Sequence, residues 1–277
     1  MHRVHIESEL EYNIDSPTSF VFNIAAAFTD HQQIINEQLS VTSSVNYEWF
    51  MLNEHGVRGI RINAQPGTLQ LHYKAEAQLS PEVDQAGQLR EVEHNVLPSD
   101  ILPFLSPSRY CESDRLGRFA WKQFGQLETG YFRVQAICDW VNQQIDYVAG
   151  STDASSSACD VLIQRAGVCR DFAHVSIALC RALGIPARYV SGYAAELQPP
   201  DFHGFFEAYL NENWYLFDAT RMAPVSGFVR VGIGRDAADS SFANIVGQAT
   251  LNSMRVSAVS NASEHKENNF DDAISTA

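Results

Sequence analysis

The stretch from His203 to Thr220 constrains this chain more than any other. It reads H-G-F-F-E-A-Y-L, then Asn211-Glu212-Asn213, then W-Y-L-F-D-A-T. Two strand-forming runs separated by turn residues predict an antiparallel hairpin. If Asn211-Glu212 is a two-residue turn, Leu210 pairs with Asn213 and Phe205 with Asp218. His203 then lies diagonal to Asp218 on one face, within side-chain reach. The reverse face carries Phe206, Ala208, Leu210, Tyr215, Phe217 and Ala219, an apolar surface that needs a core to cover it. A three-residue turn without a bulge would flip that register and separate the histidine from the carboxylate.

A helical pattern lies upstream. Cys169–Leu183 has Phe172, Ser176, Leu179 and Leu183 on one stripe, and Gly184 and Pro186 follow as stop signals. Cys169 falls at the start of this helix, after Gly167-Val168. Unpaired N–H groups and the helix dipole stabilise a thiolate there, and such sites can bring a cysteine from about 8.5 to roughly 3.5–7.5. Asp171, in the first turn, suits the same dipole. Cys169, His203 and Asp218 therefore permit a relay: a thiolate attacks an acyl carbon, an imidazole moves the proton, and a carboxylate orients the imidazole. The Cys169 N–H would serve as an oxyanion donor, with Gln164 a candidate second donor. Phe205 and Glu207 share the His203 face and are candidates for shaping the substrate pocket. His174 lies roughly 140° around the helix from Cys169, which points to packing or hydrogen bonding instead of catalysis.

The motifs G-V-C-R-D-F-A-H (Gly167–His174), A-L-G-I-P-A-R-Y-V-S-G-Y (Ala182–Tyr193), D-F-H (Asp201–His203) and W-Y-L-F-D-A-T together resemble bacterial transglutaminase-like proteins. Pro107–Asp114 and Gly234–Asp239 extend the resemblance, which covers roughly residues 105 to 245. It implies an α+β, papain-like core in which the nucleophile helix packs on an antiparallel sheet bearing the histidine and aspartate. By the same resemblance Cys169 is the nucleophile, His203 the base and Asp218 the orienting carboxylate. The family commonly has Ala-Trp after the histidine; here Gly204-Phe205 stands instead, and a reshaped acyl pocket is the expected consequence.

Short alternating runs with turn signals before residue 105 predict a β-sandwich-like N-terminal domain. Residues 106–258 are expected to form the catalytic core, and 259–277 an acidic, loose tail. Acidic residues outnumber basic ones 33 to 19, for a net charge of −14. That field disfavours nucleic acid and anionic membranes as partners. The chain contains no run near the roughly 18 apolar residues of a membrane helix and begins without an apolar signal core, so a cytoplasmic location is expected. The five cysteines form no C-x-x-C pair; no metal or other cofactor is expected, and reduced thiols are. The expected activity is thiol-dependent acyl transfer on peptide or glutamine-type amides, with hydrolysis ahead of amine transfer and crosslinking. A non-catalytic interaction module retaining the triad is the alternative of another class.

Overall fold

The computed structural model describes residues 2–42, 45–261 and 272–277. Two four-stranded antiparallel sheets form the N-terminal sandwich. One runs Ala249–Ser260, His2–Ile14, Gly67–Leu79, Gln32–Val41; the other runs Ala243–Val246, Thr18–Phe22, Arg58–Ala64, Tyr47–Met51. Period-two alternation explains the pairing. In His2–Ile14 the residues Val4, Ile6, Leu10 and Tyr12 are buried, and they meet Phe20, Phe22, Ile60, Ile62, Leu71 and Tyr73 in one core.

The second half has four helices among the described residues: α1 (Ser113–Phe124), α2 (Tyr131–Gln144), α3 (Ala158–Gln164) and α4 (Cys169–Ala182). They accompany an antiparallel sheet in the order Asn213–Phe217, Phe202–Leu210, Ala187–Ala194, Phe228–Gly234. The hairpin has the two-residue turn: Leu210 pairs with Asn213 and Phe206 with Phe217. Asn211 and Glu212 both take positive φ, 46° and 65°, as a hairpin turn matching the strand twist requires. Phe206, Ala208, Leu210, Tyr215 and Phe217 join Phe172, Val175 and Leu179 of α4 in a shared core. α4 ends where Gly184 adopts φ 84°.

Two expected boundaries are corrected. The chain returns to the sandwich before residue 258: Ala243–Val246 pairs with Thr18–Phe22, and Ala249–Ser260 pairs with His2–Ile14. Only Val256 of the latter strand is buried, so it carries no strong apolar period, and backbone pairing to an existing edge decides its position. The expected loose tail also divides. Residues 262–271 lie outside the described residues, whereas Asp272–Ser275 pairs with Glu82–Gln85 and buries Ala273 and Ile274.

Candidate active site

The N-terminus of α4 is built around Asp171. Its buried carboxylate accepts hydrogen bonds from the Val168 N–H at 2.9 Å, the Thr152 hydroxyl at 2.5 Å and the Arg170 guanidinium at 3.0 Å. This fixes the entry of the chain into the helix just before Cys169. Gly167 is required by the same packing, because a Cβ there would come 2.8 Å from the Cβ of Asp171. All five cysteines are free, and Cys169 is the only one not buried. Burial pushes the thiols of Cys111, Cys138 and Cys180 well up and that of Cys159 to about 11, which keeps all four protonated at neutral pH.

His203 and Asp218 meet as the hairpin register requires. Nε2 of His203 is 3.0 Å from Oδ2 of Asp218, with both side chains closed to solvent. Asp218 is held in turn by Thr220, whose N–H and hydroxyl donate to Oδ1 at 2.9 and 2.8 Å. Asn142 of α2 donates to the Ala219 carbonyl at 2.8 Å and braces the same turn. Burial opposes charge on His203, but the Asp218 carboxylate outweighs it and the nearby Cys169 thiol adds to the effect, raising the imidazole to about 10. With Nε2 committed to Asp218, Nδ1 is the atom left for the thiol, and it is buried without a hydrogen-bond partner among the described residues. A thiol, an imidazole and a carboxylate thus stand in series, able to form a nucleophile and move a proton.

The remaining expected site residues lie elsewhere. Phe205 shares the His203 face but is 1% exposed, its ring 4.2 Å from Phe228 and packed with Val190, Leu216 and Ile274. It supports His203 from beneath and does not line an open pocket. Glu207 is fully buried between Arg188, at 2.6 Å, and Arg230, so its carboxylate is taken up by two arginines and does not face an open pocket. Gln164 is exposed at the end of α3 and makes no hydrogen bond to Cys169 among the described residues. His174 has the expected structural role. It is fully buried, accepts from the Ala237 N–H at 3.1 Å and stacks on Tyr110.

Three further residues stand at the site that the motif spacing does not single out. Thr220 was signalled by its place two residues after Asp218, a spacing suited to a local side-chain turn. Tyr189 had no such signal: its hydroxyl stands 2.5 Å from where a Cβ at Gly204 would be. That approach explains the glycine after His203, since the tyrosine hydroxyl fills the space an alanine methyl would take. Tyr147 is the third; its hydroxyl stands near the backbone and thiol of Cys169.

A cysteine at a helix start, beside a histidine on a strand and an aspartate just past the end of the next strand, preceded by a β-sandwich, defines an α+β protein with a papain-like core. Residues 118–219 match the transglutaminase-like superfamily and residues 2–100 match the bacterial transglutaminase N-terminal domain. A solved structure from Cytophaga hutchinsonii, described as a candidate cysteine protease, is 44% identical with a TM-score of 0.95, covering 99% of this chain and 97% of that one. The chain belongs to the transglutaminase-like superfamily. An uncharacterized protein of Mycobacterium leprae is 35% identical over 144 residues, 49% of this chain and 51% of that protein. One from Mycobacterium bovis is 37% identical over 108 residues, 34% of each. The chain thus spans about half the length, or less, of these curated relatives. No helix among the described residues is long and apolar enough to cross a membrane.

Proposed function

We propose that this protein is a thiol-dependent acyl-transfer enzyme that hydrolyses peptide or glutamine-type amides, with Cys169 as nucleophile, His203 as acid and base, and Asp218 as the orienting carboxylate. The observation that carries this reading is the buried His203–Asp218 pair beside the one cysteine that is not buried. Sγ of Cys169 attacks the amide carbon as a thiolate, while His203 is imidazolium. The imidazolium gives its proton to the departing amine as the C–N bond breaks, leaving a thioester and a neutral imidazole. Water then attacks the thioester, His203 takes its proton, and collapse releases the acid and regenerates the ion pair. The Cytophaga hutchinsonii protein described as a candidate cysteine protease, similar along almost the whole chain, favours hydrolysis over amine transfer. A reducing compartment such as the cytoplasm suits a free nucleophilic thiol.

The test supplies a glutamine-containing peptide and a fluorescent primary amine to wild type and to Cys169→Ala. Release of ammonia or peptide without fluorescent incorporation, lost in the variant, is expected. Covalent incorporation of the amine would make the protein a crosslinking transglutaminase instead. Equal, slow alkylation of all five thiols at neutral pH would count against any activated nucleophile and favour an interaction module.

A further inference from the structure

The short strand Asp146–Tyr147 follows α2 after one extended residue, Ile145, and pairs in parallel with Ala166–Gly167. The Asp146 N–H donates to the Arg165 carbonyl, and the Val148 N–H donates to the Gly167 carbonyl, both at 2.9 Å. This short bridge ties the tyrosine backbone to the residues immediately before Cys169. The Tyr147 ring lies 5.9 Å from that of Phe172, in the first turn of α4. The segment beyond it is anchored to the same helix end, by Thr152 on Asp171 and by Arg170 Nη2 on the Asp153 carbonyl at 2.8 Å.

This frame brings the Tyr147 hydroxyl close to both the backbone N–H and the thiol of Cys169. The Cys169 N–H is the first of its helix and has no intrahelical acceptor. Thiol, N–H and hydroxyl therefore stand together at the start of α4. Tyr147 is 43% exposed, so this end of the helix borders solvent. An acyl carbon bonded to Sγ would carry its oxygen there.

We propose that the Tyr147 hydroxyl is the second oxyanion donor, acting with the Cys169 N–H on the tetrahedral intermediate; this rests on the thiol reading above. As the Sγ–C bond forms, the carbonyl π pair moves onto oxygen, and the hydroxyl donates to it without giving up its proton. A hydroxyl bond to an oxyanion is short and charge-assisted. It is stronger than the contact the same hydroxyl makes with sulfur before attack, and only such a difference between ground and transition state accelerates the reaction.

Tyr147→Phe keeps the ring packing on Phe172 and removes only the hydroxyl. Two reagents separate its roles: p-nitrophenyl acetate acylates Cys169 through an oxyanion, and iodoacetamide alkylates it at a saturated carbon without one. Acylation of the variant is expected to slow by about 10²-fold, the scale seen on losing one such donor, while alkylation changes little. A parallel loss in both reactions would overturn the proposal by showing that the hydroxyl acts on the thiolate alone. Unchanged or faster acylation would overturn it too, making the hydroxyl a bystander or an obstruction. If wild type shows no nitrophenolate burst that Cys169→Ala abolishes, the thiol reading itself fails, and this inference with it.

Discussion

His203 and Asp218 are joined by one 3.0 Å contact in a setting that excludes water from both side chains. Burial alone would make the imidazole neutral; the carboxylate reverses that and raises it to about 10. Activity that depends on the imidazolium is therefore expected to persist above neutral pH and fall only as pH approaches that value. Asp218→Asn removes the opposing charge, so the alkaline limb of kcat/KM against pH should move to lower pH. Turnover should drop by up to about 10⁴-fold, as when the orienting carboxylate of a related triad is lost. The pair also stabilises the fold. Because the folded-state value is raised, its contribution is fully present below the unfolded histidine value of about 6.5 and is lost as pH rises towards about 10. The difference in unfolding free energy between wild type and Asp218→Asn should shrink across that window. An alkaline limb that does not move would argue that another group holds the charge on His203.

Glu207 is the buried counter-charge to two arginines, Arg188 and Arg230, on the sheet that carries His203. Removing one partner of a buried ionic group leaves an uncompensated charge, at a cost of about 3–5 kcal/mol. Glu207→Gln should lose stability on that scale, read as a lower urea midpoint with an unchanged slope. A variant as stable as wild type, with altered substrate preference, would restore Glu207 to the pocket.

Gly204 and Tyr189 form a second coupled pair. A methyl at residue 204 would stand 2.5 Å from the tyrosine hydroxyl, so Gly204→Ala should cost about 1–3 kcal/mol through overpacking. Tyr189→Phe removes the obstructing oxygen and should recover part of that loss when the two are combined. Thermal unfolding of both single variants and the double variant gives the coupling energy. Strict additivity would mean the backbone, not Tyr189, sets the limit at residue 204.

Ile274 is buried in the cluster that contains Phe205 and Phe228, both of which pack near His203. Ile274→Ala should therefore destabilise by about 2–5 kcal/mol, as expected for a core truncation. Exposed-tail behaviour, with no change in unfolding, would separate this segment from the core.

Local pattern carried much of the site. The two-residue turn at Asn211-Glu212 fixed the hairpin register, and one register brings His203 to Asp218 while turning Phe206 and Phe217 to the core. The same period of two misplaced Glu207 and Phe205. Alternation reports which face a side chain occupies, but it says nothing about what covers that face. Here the cover comes from Arg188 on the directly paired strand, and from Phe228, Arg230 and Ile274 on strands further along the chain. The C-terminal strands are not legible in the sequence because they have little apolar period of their own and are held by pairing to edges.

By itself the sequence determined the elements that depend on neighbours in the chain. These are the helix opening at Cys169, its stop at Gly184, the hairpin turn, and the face shared by His203 and Asp218. Only the tertiary structure decided the contacts between segments far apart. It packed Tyr189 against Gly204, buried Glu207 between two arginines, returned residues 243–260 to the sandwich and brought Tyr147 beside Cys169. Backbone geometry and side-chain period are local and can be read from spacing. Burial and charge compensation arise only when separate segments exclude water together.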